Sequence, residues 1–179
     1  MEARWINCCR IVRITQEIAG LAPETWIADT NAKEASAQAT FNSAVCLSAM
    51  RRSMMKATSV DIPELGHTDR VPAVQARIIL GGKTSGYKGF IPGIFEEALT
   101  TLEAKRPLYL LGGFGGATEI LANAIFSESS RPEELTVAWH REHTAGYAAL
   151  LDSMSEFELP EGVPTPEQAF DELWHRIEK

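Results

Sequence analysis

The sequence predicts an α/β domain built on a parallel sheet, and three observations carry that prediction. Two short apolar runs, Gln75-Ala76-Arg77-Ile78-Ile79-Leu80 and Pro107-Leu108-Tyr109-Leu110-Leu111, read as buried strands. Each stops at a glycine cluster, Gly81-Gly82 and Gly112-Gly113-Phe114-Gly115-Gly116. Each is followed by apolar residues at helical spacing, over Pro92 to Lys105 and over Ala117 to Phe126. This βαβα order implies a parallel pair joined by a right-handed crossover. Ligands of such sheets gather outside the carboxyl ends of the strands, which is where both glycine clusters fall.

The remaining elements follow in chain order. Arg10-Ile11-Val12-Arg13-Ile14-Thr15 is rich in β-branched residues and predicts a short strand, closed by Gly20 and Pro23. From Thr30 to Lys56 there is neither Gly nor Pro, and Ala37, Phe41, Ala44, Val45 and Ser48 recur at helical spacing. One long helix is expected, with Arg51, Arg52 and Lys56 opposing the negative end of its dipole. Asp61 to Pro72 carries Pro63, Gly66 and Pro72 and reads as a loop. Ser130-Arg131-Pro132-Glu133 has the form of a capping box, so a helix is expected through Trp139, and Ala145 to Met154 supplies another. Thr165-Pro166-Glu167-Gln168 repeats that logic with proline at the first helical position. The whole of residues 1–179 is expected to form one domain, with its core over about 44–155 and a helical extension over about 156–179.

Composition narrows the function classes. Of 179 residues, 45% are hydrophobic and 23% charged, enough for a real core and unlike a disordered chain. Seventeen Lys and Arg against 24 Asp and Glu leave a formal charge of -7, with no basic run, which argues against a nucleic-acid partner. No apolar stretch approaches the roughly 18 residues of a membrane span, and Asn7 and Arg10 interrupt the N-terminus too early for a signal peptide. Cys8, Cys9 and Cys46 form neither a metal-ligand spacing nor an even disulfide set, so they read as reduced thiols of a cytoplasmic protein. His140 and His143, three apart with no nearby Cys, make a poor zinc set and read as surface histidines; no metal is expected. Trp26, Trp139 and Trp174 are scattered and read as packing anchors.

The strongest chemical signal is the turn Gly112-Gly113-Phe114-Gly115-Gly116, which opens a helix carrying Thr118 and Glu119 in its first turn. Glycines let backbone N–H groups approach a phosphate closely, and the helix N-terminus adds partial positive charge. The alternative is that these glycines serve only a tight strand-to-helix turn. The turn at Gly81-Gly82-Lys83-Thr84-Ser85-Gly86-Tyr87-Lys88-Gly89 contains Gly-Lys-Thr, but a P-loop needs glycine five positions before Gly82, where Arg77 stands. That excludes the P-loop ATPase reading. What remains is a loop with Lys83 and Lys88 for an anion, Thr84 and Ser85 for hydroxyl contacts, and Tyr87 for stacking. Glu96 and Glu97 open the next helix, where carboxylates suit the positive helix end and one could face ribose hydroxyls.

Taken together, Gly81-Gly82-Lys83-x-x-Gly-Tyr-x-Gly-x-x-Pro-Gly-Ile-x-Glu-Glu-Ala and Pro107-Leu-Tyr-Leu-Leu-Gly-Gly-Phe-Gly-Gly-Ala resemble the SLOG superfamily, Rossmann-like nucleotide-binding domains related to LOG and DprA proteins. Nearest in appearance are SLOG proteins that accompany TIR or nucleoside-phosphorylase domains in bacterial conflict systems. The likeness runs from about Ala44 to Phe126 and includes Leu47-Ser-Ala-Met-Arg51. It implies a Rossmann-like three-layer fold with a parallel sheet, and recognition of a nucleotide or ADP-ribose-derived signal. Together with the loop residues above, the expected ligand set is Gly81, Gly82, Lys83, Thr84, Ser85, Tyr87, Glu97, Gly112, Gly113, Phe114, Gly115 and Gly116. No cofactor is implied beyond that ligand. The partners implied are the nucleotide, a further copy of the chain or a TIR-type effector, in antiphage or stress signalling.

LOG enzymes cleave nucleoside monophosphates at the N-glycosidic bond with Pro-Gly-Gly-x-Gly-Thr-x-x-Glu. Here Leu111 stands for the proline and Gly116 for the threonine, while Glu119 matches the carboxylate, and Arg51 and Arg52 are the nearest candidates for the partner arginine. Three readings therefore stand: a ligand sensor, a LOG-like N-glycosidase working through Glu119, and a structural interaction module. The first 40 residues contain one glycine and no earlier glycine-rich βα turn, unlike other SLOG domains of this kind. The chain thus reads as a C-terminal portion of a larger domain, or a shortened member that completes its sheet by self-association or with a partner.

Overall fold

The computed structural model describes residues 15–23, 36–62, 66–126 and 130–178. The strand expected at 10–15 lies outside them except for Thr15, which begins a turn, and Cys8, Cys9 and Trp26 lie outside as well. The first helix, α1 (Ala37–Ser53), is shorter than the span 30–56 read from composition. Ser36 caps it by accepting from Ala39 N at 3.1 Å, Arg51 and Arg52 fill its last turn, and it buries Phe41, Ala44, Val45 and Ser48.

The stretch expected as a loop is instead a hairpin, which corrects the reading of Asp61 to Pro72. Strand β1 (Thr58–Ile62) pairs antiparallel with β2 (His67–Val71), Thr58 opposite Val71 and Ile62 opposite His67. Gly66, at φ +64, belongs to the turn and Pro72 follows the second strand, so these residues mark the ends of the strands rather than the absence of strands. Thr68 Oγ1 donates to Asp61 Oδ1 at 2.5 Å across the pair. The apolar alternation is short, with Val60, Ile62 and Val71 on one face against Ser59, Asp61, Thr68 and Arg70 on the other, and Pro63, Gly66 and Pro72 outweigh it in a linear reading.

The βαβα segment forms as expected. Strand β3 (Arg77–Leu80) leads through the glycine loop to α2 (Gly93–Glu103); β4 (Leu108–Leu111) then leads through a 3-10 turn at Gly112–Phe114 to α3 (Gly116–Phe126). The strands are parallel neighbours in the register Arg77↔Leu108, Ile78↔Tyr109, Ile79↔Leu110, Leu80↔Leu111. Helix α2 stops two residues short of the expected Lys105, which takes φ +53 while its amide donates to Leu102 O at 3.0 Å.

Helices α4 (Val137–His143), α5 (Tyr147–Ser153) and α6 (Pro166–Ile177) complete the described chain. The capping box at Thr165 is formed in full: Gln168 N donates to Thr165 Oγ1 at 3.3 Å and Thr165 N donates to Gln168 Oε1 at 2.9 Å. The box expected at Ser130 does not form. Residues Glu133–Leu135 make a 3-10 turn, and Thr136 caps α4 by accepting from Trp139 N at 3.3 Å. The Arg131 guanidinium instead donates to Leu135 O, at the end of that 3-10 turn.

The core has two parts. Ile79, Phe95, Leu99, Leu121, Leu135, Phe170 and Leu173 pack between β3–β4, α2, α3 and α6. Phe41, Val45, Phe90, Tyr147 and Leu150 pack α1 against α5 and the loop before α2. Burying each such side chain contributes about 1.5–3 kcal/mol. Helix α6 belongs to the first part, with Phe170 and Leu173 fully buried. The architecture is a mixed α/β one compatible with a Rossmann-like domain, in which the described residues cover one face of the parallel pair.

Candidate functional site

Both glycine turns leave the carboxyl ends of neighbouring parallel strands, and they are bonded to each other. Ala117 N donates to Gly82 O at 3.1 Å and Thr118 N donates to Gly81 O at 2.9 Å. The first-turn donors of α3 are therefore shared with the loop after β3, so the two turns form one body. Close contact is possible only because of the glycines at the seam. A Cβ on Gly116 would overlap Gly82 O, and a Cβ on Gly82 would overlap Ile94 Cγ1; both residues also hold positive φ, +67 and +92. At Gly112 a Cβ would lie 2.8 Å from Ala122 Cβ. Gly86 and Gly113 face open space instead. Three of the glycines thus serve packing, and two leave the backbone open to a visitor.

Around the seam, Lys83, Ser85, Gly113, Phe114 and Glu119 are exposed and Thr84 is half-buried. Glu119 projects from the first turn of α3, with its Oε2 3.9 Å from where a Gly115 Cβ would stand. Buried directly beside it in sequence, the Thr118 hydroxyl is fully enclosed and has no hydrogen-bond partner among the described residues. The surface here offers a cation at Lys83, small hydroxyls, the Phe114 ring and the Glu119 carboxylate, and Lys88 is exposed further along the same loop. Those are the group types that hold a phosphate, a ribose and a base.

The second half of the loop after β3 is pinned. Phe90 and Ile91 are buried, and Tyr147 Oη donates to Phe90 O at 2.8 Å. Tyr87, a stacking candidate in the sequence, packs its ring 5.3 Å from His140 and 5.8 Å from Tyr147, which anchors the loop. Its hydroxyl lies near Tyr147 and Thr144 outside hydrogen-bond geometry, and burial raises its pKa above the usual phenol range. His140 is not a surface residue: it is fully buried, stacked 5.0 Å from Phe170, with Nε2 2.9 Å from Glu134 O. Burial lowers its pKa to about 4. His143 is exposed as expected, stacked 4.2 Å from Trp139.

Glu96 and Glu97 are held by arginines. Arg51 Nη1 lies 2.6 Å from Glu96 Oε2, and Arg77 Nη1 lies 2.5 Å from Glu97 Oε2, with Arg51 Nε 3.8 Å from Glu97 Oε1. Arg77 starts β3, so Glu97 is tied toward the end of that strand opposite Gly81. Room for the Arg51 guanidinium comes from Gly93, where a Cβ would lie 2.6 Å from Nη2. Arg52 faces Glu103 at 3.4 Å. Both arginines considered as partners for Glu119 are thus engaged with other carboxylates. The sequence signal for this cluster was present, as a basic last turn on α1 and an acidic first turn on α2, but nothing linear paired them.

Elsewhere, a cleft of about 360 Å³ lies where α1 ends, lined among others by Ile18, Gly20, Arg52, Lys56, Glu161 and Val163. It shares no residue with the glycine turns. Cys46 is half-buried, its thiol accepting from Gln16 Nε2 at 3.5 Å, and burial raises its pKa. Among the described residues no helix is long and apolar enough to cross a membrane.

No curated protein and no solved structure matches the chain. A family model described as SLOG cluster2 matches residues 9–163, which covers both glycine turns, α1 and His140 with Tyr87, Trp139 and Tyr147 of the aromatic cluster. With so much of its length matched, the chain belongs to the SLOG cluster2 family.

Proposed function

We propose that the chain is a cytoplasmic sensor domain that binds a nucleotide-derived ligand, of the ADP-ribose, NAD-related or cyclic nucleotide class, at its paired glycine turns. The observation that supports this is that the two turns, bonded to each other through Ala117 N to Gly82 O and Thr118 N to Gly81 O, lie at the carboxyl ends of neighbouring parallel strands, where ligands of such sheets gather. In this reading an anionic phosphate meets Lys83 and the open backbone at Gly86 and Gly113. Thr84 and Ser85 contact phosphate or ribose oxygens, Phe114 stacks on the base, and Glu119 accepts from ribose hydroxyls. Occupancy is then passed to a further copy or an effector, in keeping with a role in antiphage or stress signalling.

Isothermal titration with ADP-ribose, cyclic ADP-ribose isomers, NAD and AMP tests it. Binding of at least one, weakened tenfold or more in Lys83→Ala, is expected; no binding by folded protein overturns the reading. Glu119, exposed at the first turn of α3, favours a second reading as a LOG-like N-glycosidase. There the carboxylate would stabilise an oxocarbenium-like ribose while water replaces the departing base. Release of free base from AMP, abolished by Glu119→Ala, would establish that reading, and unchanged release in the variant would sink it.

A further inference from the structure

Tyr87 sits the opposite way round from an ordinary surface tyrosine. The residue is half-buried, yet its hydroxyl oxygen is fully enclosed and has no hydrogen-bond partner among the described residues. A surface phenol ordinarily keeps its polar end in water and buries its ring. The groups around this one are polar too. Tyr87 Oη lies near the hydroxyls of Tyr147 and Thr144, and Thr144 Oγ1 is likewise enclosed without a partner. Only Tyr147 Oη is engaged, donating to Phe90 O at 2.8 Å. Three buried hydroxyls, from the loop after β3, the C-cap of α4 and the first residue of α5, thus meet beneath that loop. Burying them costs free energy unless they bond, and phenylalanine at 87 would pack its ring on His140 without that cost.

We infer that these hydroxyls bond in series, Thr144 to Tyr87 to Tyr147 to the Phe90 carbonyl, and that Tyr87 is the positioning residue that holds the loop of Lys83 and Lys88 for a ligand. The proton count fixes the direction. A carbonyl only accepts, so Tyr147 spends its one proton on Phe90 O and can only accept from Tyr87. Tyr87 then has no proton left and accepts from Thr144, whose proton is unspent. His140 cannot supply one. Its Nε2 faces Glu134 O at 2.9 Å, which places the ring proton there, and burial keeps the ring neutral, so Nδ1 is bare. Thr144 is itself set by α4, its N–H donating to His140 O at 2.9 Å. The loop is thereby gripped twice, at Tyr87 through its hydroxyl and at Phe90 through its backbone, whereas Gly86, at φ +64, meets nothing within 4 Å. Lys83 and Lys88, both exposed, flank the grip at Tyr87. The role toward a ligand rests on the reading of the glycine turns proposed above; the hydroxyl series does not.

Hydrogen exchange of the ligand-free full chain tests the series, and titration with ADP-ribose and AMP tests its use. Tyr87→Phe and Thr144→Val should each speed exchange of the amides of 83–88 by about threefold to tenfold, the equilibrium worth of one hydrogen bond, and leave those of 77–80 and 108–111 unchanged. The double variant should add little to either, because both break one chain of bonds. Thr144→Ser keeps the hydroxyl and should restore the parent rates, although Thr144 lies outside both glycine turns. Nucleotide affinity should fall in Thr144→Val by a factor similar to the rise in exchange. Unchanged exchange at 83–88, a rise shared equally by the strands, or fully additive variants overturn the series. Faster loop exchange with affinity untouched overturns the positioning role. A parent that binds no nucleotide removes the ligand reading and the positioning role with it, while the exchange rates still decide whether the series exists.

Discussion

Arg51 in the last turn of α1 places its Nη1 2.6 Å from Glu96 Oε2 in the first turn of α2, and this pair ties the two helices to each other. Both side chains are largely withdrawn from water, at 11% and 4% exposure. Removing one partner leaves the other charge buried without its counter-ion, at a cost of about 3–5 kcal/mol. Arg51→Ala should therefore lower the unfolding free energy in urea by that order, and Arg51→Met combined with Glu96→Leu by much less. Equal losses in the single and double variants would show that the pair itself is not what matters.

Gly116 and Gly113 stand three residues apart and should respond oppositely to the same change. Alanine at Gly116 meets the Gly82 carbonyl at a φ of +67, so the turns must separate and the bonds from Ala117 and Thr118 must break. Alanine at Gly113 meets nothing within 4 Å. We expect Gly116→Ala to cost about 2 kcal/mol or more and to lose ligand binding, and Gly113→Ala to stay within about 0.5 kcal/mol of the parent. Thermal melts of both variants, with nucleotide titrations, decide the matter; a stable, binding-competent Gly116→Ala would refute the seam.

His140 makes stability depend on pH. Its ring is enclosed by Tyr87, Trp139, Tyr147 and Phe170, and its folded pKa near 4 lies below the ordinary 6.5. Between those values the unfolded chain binds a proton that the folded one refuses, so stability rises with pH across that window. The contribution is complete above about pH 6.5 and is lost as pH falls toward 4, at most about 3 kcal/mol. Nearby charge acts in the same direction, since a protonated His143 opposes a proton on His140. Urea unfolding from pH 4.5 to 7.5 should show this slope, and His140→Gln should flatten it; an unchanged slope in the variant would assign it to other groups.

Much of the site was legible in the sequence because its signals are local. A strand ending in glycine and a helix beginning after it are neighbours in the chain, so β3, α2, β4 and α3 were found with boundaries within a few residues. The contacts that decide what each glycine does are not local: Gly82 answers to Ile94 and Gly116, and Gly93 answers to Arg51. The hairpin of β1 and β2 was hidden because its apolar period rests on Val60, Ile62 and Val71 alone, while Pro63, Gly66 and Pro72 around them read as loop residues. His140 reads as a surface residue in the sequence because it and His143 make a poor metal set among polar neighbours, whereas Tyr87 and Phe170, which help to bury it, come from distant parts of the chain.

Helix capping separates what a motif promises from what the fold uses. Thr165 and Thr136 each accept from a backbone N–H three residues on, at 3.3 Å, whereas Ser130 is exposed and precedes a 3-10 turn. Losing a cap oxygen costs about 1 kcal/mol, because the freed N–H must find water at a helix end packed on the core. Thr165→Ala carries the larger consequence, since α6 holds Phe170 and Leu173 in the main cluster and frays from that end. Thr165→Ala and Thr136→Ala should each lower the urea midpoint measurably, and Ser130→Ala, although it removes the serine of a formally perfect Ser-x-x-Glu, should leave it in place. A loss at Ser130 equal to that at Thr165 would mean that the segment before α4 is helical in solution, with Arg131 released from Leu135.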